Sequence, residues 1–119
     1  MSTRGELEDK ISNAMVKFHK EQFGRGAESA RTYIIDDMVL VRLRGVLTPA
    51  EKQLAHNQEG QKLIKEFRYH IEEICRPQLE QLIQDITGAT VVSLHCDIST
   101  KTGERIDVFV LNNKLDYKG

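Results

Sequence analysis

Gly24-Arg25-Gly26 and the nearby Arg31 are the residues of this chain best suited to hold a small anion. A guanidinium presents a fork of donors that matches planar oxyanions, and the amides of a glycine loop add to it. Arg25 and Arg31 together would therefore take a carboxylate, a phosphate or bicarbonate. The competing reading, stronger on the residues alone, is that Gly24 and Gly26 only end a helix while both arginines pair with surface acids. No GxxxxGK[ST] run occurs, so the loop is not a phosphate-binding P-loop.

Nucleophilic and metal chemistry find less support. His95-Cys96-Asp97 sets a thiol beside a base, but strand alternation sends Cys96 to the face opposite His95 and Asp97, so no Cys-His dyad forms. His95 and Asp97 share a face and read as a surface pair. Thr48 and Glu51 are explained by helix capping. His19, His56 and His70 show no HxxxH or HxxE spacing, and neither a metal nor a cofactor is expected. With no nucleophile, base and oxyanion donor placed together, the chain is read as a non-enzyme with no catalytic residues.

These residues must be positioned by seven elements. Leu7, Ile11, Ala14, Met15 and Phe18 recur at helical intervals, predicting an amphipathic helix that ends near Phe23. Arg31–Ile35 and Met38–Leu43 read as a hairpin turning at Asp36-Asp37. Thr48-Pro49-Ala50-Glu51 opens a short helix to about Asn57. A longer helix follows Gly60, with Leu63, Phe67, Ile71, Ile74, Leu79, Leu82, Ile83 and Ile86 as its apolar stripe and a kink or break at Pro77. Val91–Ile98 and Arg105–Leu111 alternate with period two around a Thr100–Glu104 turn. The expected fold is α+β, a two-layer sandwich in the order α-β-β-α-α-β-β, whose four-stranded antiparallel sheet carries its helices on one face. It forms one domain over 1–119, with its core about 7–111 and a flexible tail over 112–119.

The near balance of 17 basic and 18 acidic residues gives a net charge of -1, without the basic excess of a nucleic-acid binder. Aromatics are 6% of residues, too few for a base-stacking platform, so no nucleic-acid partner is expected. No apolar run approaches the roughly 20 residues a membrane helix needs, and the first ten residues lack a signal-peptide core. Direct membrane insertion is not expected, and a cytoplasmic location is. Cys75 and Cys96 fit neither a disulfide framework nor a zinc site.

The sheet's uncovered face is the most informative feature. If Val39, Val41 and Leu43 turn to the helices, then Met38, Leu40, Arg42 and Arg44 turn away, and Phe109 and Leu111 are expected to join them beside Arg105 and Asp107. Apolar residues mixed with arginine are the composition of a protein interface, pointing to a homodimer or a docked partner; an ordinary one-sided sheet with scattered apolar residues fits the same residues equally well.

The residues Phe23 to Gly26, Ala30 to Asp37, Leu47 to Lys52, Arg76-Pro77, Thr87-Gly88 and Val108 to Leu111 resemble the bacterial MpsC-like family, over about Leu7 to Leu111. That resemblance implies association with a sodium-translocating, membrane-potential-generating system or with inorganic-carbon uptake. It carries no catalytic residues to this chain. The implied role is an accessory or regulatory module working through protein contacts, at the inner side of a membrane by way of a transport-protein partner. The alternative is an anion sensor built on Arg25 and Arg31.

Overall fold

A computed structural model describes residues 2–117. The first helix, α1 (Arg4–Phe23), begins in a capping box in which Thr3 accepts from the Glu6 N–H and Glu6 reaches back to the Thr3 N–H. It buries Leu7, Ile11, Met15 and Phe18, and stops where Gly24 adopts φ 76°, a left-handed conformation that glycine takes without a Cβ penalty. Strands β1 (Ser29–Ile35) and β2 (Met38–Arg44) pair through the Asp36-Asp37 turn, with Asp36 at φ 59°.

After a second capping box at Thr48 and Glu51 comes the short helix α2 (Pro49–Leu54). The next helix, α3 (Gln58–Thr87), starts earlier than Gly60 because the Asn57 side chain accepts from the Gly60 N–H at 2.7 Å and caps it. It runs through Pro77 without the expected break. Pro77 and Glu73 are both on the exposed side, so the Glu73 carbonyl freed by the missing donor is open to water. The helix's 30 residues span about 45 Å, which sets the molecule's 46 Å long axis.

Strands β3 (Val91–Ile98) and β4 (Arg105–Leu111) form the second hairpin, and β4 pairs with β2 to give an antiparallel sheet in the order β1-β2-β4-β3. The helices lie on one face: α1 packs on β1, and α3 packs on α1 and β3. The α+β sandwich and its element order are thus as expected. Edge strand β1 is tied to α1 by the Ile34 N–H to Glu8 bond, 2.9 Å, and by the Ser12–Thr32 hydroxyl pair, 2.7 Å. Leu115 and Tyr117, in the segment expected to hang free, pack against the core, while Lys118 and Gly119 lie outside the described residues.

Two expectations of sidedness are corrected. On α3 the core takes Ile64, Arg68, Cys75, Leu79 and Ile83, while Leu63, Phe67 and Ile74 from the expected stripe are exposed. The helix carries apolar residues on two sides, and the buried one includes an arginine that a hydrophobicity pattern passes over. On β4, Phe109 pairs with Val39 and Asp107 with Val41, so Phe109 and Leu111, with Arg105 and Asp107, face the helices and are buried. Both faces of β4 are apolar, and its polar residues marked the wrong side as solvent because they are paired internally, Arg105 with Asp107 and Glu72.

Candidate functional site

With β4 in that register, the uncovered face is built from three cross-strand rows. Ile35, Met38 and Val110 form one, Tyr33, Leu40 and Val108 the next, and Arg31, Arg42 and Ile106 the third. Among the described residues no helix covers them. Tyr33, Ile35 and Ile106 are the most exposed of the apolar set, and Met38 and Leu40 lie between them half-buried by their neighbours.

One end of this face is cationic. Arg42 meets Glu104 at 2.6 Å and Arg44 meets the same carboxylate at 3.6 Å, so one acid serves two arginines. Arg31 lies over the Tyr33 ring at 5.5 Å and, among the described residues, has no carboxylate in ion-pair range. The opposite end is the Asp36-Asp37 turn, where Asp36 meets Lys114 at 3.0 Å.

The structure groups Arg31 with Arg42 and Arg44 in one shallow groove rather than with Arg25. Arg25 donates from Nε to the Gly45 carbonyl at 3.1 Å and from Nη2 to Glu28 at 3.0 Å, latching the α1–β1 loop to the end of β2. Gly24 closes α1, and Gly26 approaches α1 so closely that a Cβ would lie 3.2 Å from a Val16 methyl. His95 and Asp97 lie on the uncovered side of β3 without bonding each other: His95 contacts the Ser93 hydroxyl at 3.2 Å and Asp97 meets Lys65 at 3.5 Å.

Beneath the sheet lies a charged network that the sequence patterns missed. Arg68, on α3, makes a bidentate pair with Glu51, both bonds 2.7 Å, and donates to the Val46 carbonyl at 3.0 Å, while its guanidinium lies 4.3 Å from the centre of the Phe23 ring. Arg105 bonds Asp107 at 2.9 Å and reaches Glu72 on α3. The only available signals were an i, i+2 Arg-Asp pair on a strand and an arginine in helical register with Ile64 and Cys75.

The electrostatics of this network keep Cys96 and His19 uncharged. Burial, with Asp107 and Glu72 alongside, pushes the Cys96 thiol far up, so it stays protonated. Burial also holds Glu72 above the usual carboxylate range, with Asp107 adding to the rise and Arg105 opposing it. His19 is driven down to about 3 by burial and then by Arg105 and Arg68, and is neutral. Glu72, Cys96 and Asp107 offer ligand atoms within 4.8 Å of one another, the one group among the described residues with the spacing of a metal site. Arg105 pairs with both carboxylates, so an ion there would compete with its guanidinium, while Oδ2 of Asp107 is buried without a hydrogen-bond partner.

The profile of the family described as Na+-translocating membrane potential-generating system (MpsC) matches residues 3–113. The chain belongs to the MpsC family. Within reach of it are two proteins of Bacillus subtilis (strain 168). The "Uncharacterized protein YbcI" is 40% identical over 114 residues, covering 96% of this chain and 92% of YbcI. The "Uncharacterized protein YrhF" is 30% identical over 101 residues, covering 84% and 83%. No solved structure matches. The MpsC name links the chain to a membrane potential-generating system, yet among the described residues no helix is long and apolar enough to cross a membrane.

Proposed function

We propose that this MpsC-family chain is a non-enzymatic accessory module of a membrane ion or inorganic-carbon transport system, acting from the cytoplasmic side as a homodimer closed through its uncovered sheet faces. The family name supports the association with transport. The observation that carries the assembly is the apolar face itself, with arginines at one end and the Asp36-Asp37 turn at the other. A two-fold axis lying between the two sheets and perpendicular to the strands lays the Arg31, Arg42 and Arg44 end of one protomer over the partner's aspartate turn, whereas an axis along the strands opposes arginine to arginine.

Size is consistent with this. Seven-residue strands of about 23 Å, four abreast at about 4.8 Å, give a face of roughly 450 Å² in projection. With side-chain relief this buries on the order of 600 Å² per protomer, at the lower bound of a stable interface. The anion-sensor reading is weaker, because both Arg25 bonds are already made within the loop.

Light scattering on the purified protein and on Leu40→Glu/Val108→Glu tests the dimer. A wild-type dimer that becomes a folded monomer is expected, and a monomeric wild type refutes the assembly. Phe109→Glu is the internal control, since it puts a charge in the core and should unfold the chain instead.

A further inference from the structure

The outer side of α3 carries a second apolar surface that neither the core nor the uncovered sheet face accounts for. Leu63, Phe67 and Ile74 are 49%, 53% and 74% exposed. At about 100° per residue their spacing confines them to a strip about 40° wide. Along one border, Glu59, Glu66, Glu73 and Glu80 recur at every seventh position, a row that drifts only about 20° per repeat. Glu59 and Glu66 are the i−4 and i+3 neighbours of Leu63, and Glu73 adjoins Ile74. Arg76 meets Glu73 and Glu80, both at 3.5 Å, whereas Glu59 and Glu66 make no ion pair among the described residues. Near Phe67 the strip meets the end of α1, where the Phe23 and Phe67 rings are edge-to-face with centroids 6.5 Å apart.

An apolar strip with an acidic border is one half of a helix-to-helix interface. Its charge selects the other half. An anionic lipid surface is repelled by the glutamate row. In an antiparallel two-fold pair of α3 helices the same-side borders meet, so a second copy would set glutamate against glutamate. A helix whose apolar side is flanked by lysine or arginine satisfies both the strip and its border. We propose that α3 docks a basic amphipathic helix of a partner protein, with its apolar side on Leu63, Phe67 and Ile74 and its cationic flank on Glu59 and Glu66. The surface is independent of the sheet face, and in a sheet-to-sheet dimer it lies on each outer layer, so one dimer holds two such helices.

The probe is a fluorescein-labelled Leu/Lys amphipathic peptide of about 18 residues, long enough to become helical on binding, titrated with the protein by fluorescence anisotropy. Wild type should bind it saturably, and Phe67→Glu/Ile74→Glu should weaken binding about tenfold or more. Glu66→Lys and raised salt should weaken it as well, and Leu40→Glu/Val108→Glu should leave it unchanged. Because positions 67 and 74 are exposed, the variant should keep the wild-type circular dichroism spectrum. The proposal is overturned if wild type shows no saturable binding, if the α3 variant binds equally well, or if a peptide of the same composition scrambled to lack an apolar side binds as tightly.

Discussion

Replacing Glu51 by Gln should destabilise this protein far more than loss of one surface ion pair, because it strands a buried charge. The Arg68 side chain is 2% exposed and that of Glu51 9%, and their two bonds are 2.7 Å. Leaving such a guanidinium without its counter-charge costs about 3–5 kcal/mol. The glutamine can still accept from the Thr48 N–H, so the α2 cap survives and the loss reports the pair. For a 119-residue chain the unfolding entropy is about 0.25 kcal/mol per kelvin, so the expected fall in Tm is about 12–20 °C. Arg68→Met should cost a similar amount by stranding the carboxylate. The double variant, with no stranded charge, should fall short of the sum by about 2 kcal/mol or more. Urea titrations of all four proteins at one protein concentration measure this cycle, and additive single losses, or a Glu51→Gln loss below about 1 kcal/mol, would refute the reasoning. The acid response follows from the same pair. Burial pushes the Glu51 carboxyl up, but hydrogen bonds from Arg68 and Thr48 outweigh it and leave the group below its ordinary value. Its contribution is therefore present above the unfolded carboxylate pKa and is lost as pH falls through the folded one, a dependence that Glu51→Gln removes.

Three further substitutions probe burial, packing and backbone strain. His19, at about 3 against an ordinary 6.5, stays neutral in the fold while the unfolded chain takes up a proton. Stability should thus be lost as pH falls between those values, at up to about 1.4 kcal/mol per pH unit. His19→Phe, which keeps a ring beside Phe23, should flatten that slope, and an equal drop in urea midpoint for both proteins between pH 7 and pH 5 would contradict it. At Gly60 an added Cβ would lie 1.7 Å from the Leu54 carbonyl oxygen, so Gly60→Ala must part α2 from α3 and should cost about 2 kcal/mol or more. Gly24→Ala meets no neighbour and strains only a φ of 76°, so about 1 kcal/mol is expected. Melting curves showing the opposite ranking would refute the packing argument.

The elements and their order were legible in the residues alone, because what starts and stops them is local. Thr3 with Glu6, Thr48 with Glu51, Gly24 and Gly88 act within a few residues of chain, and strand alternation needs only its own neighbours. Alternation also singled out Met38, Leu40, Arg42 and Arg44 as turned from the helices, since β2 has one strictly aliphatic side, Val39, Val41 and Leu43.

Which side of β4 and which side of α3 are buried was set by the packing, because each is apolar on two sides and the choice belongs to the pairing partner. Val39 opposite Phe109 turns Phe109 inward and leaves Val108 outside. Arg68 and Arg105 are buried for the same reason. A charge reads as solvent-facing until the fold brings Glu51, Glu72 and Asp107 to it from elsewhere in the chain. Arg25, legible as an anion ligand, is spent instead on the Gly45 carbonyl, a partner that exists only once β2 lies beside the loop.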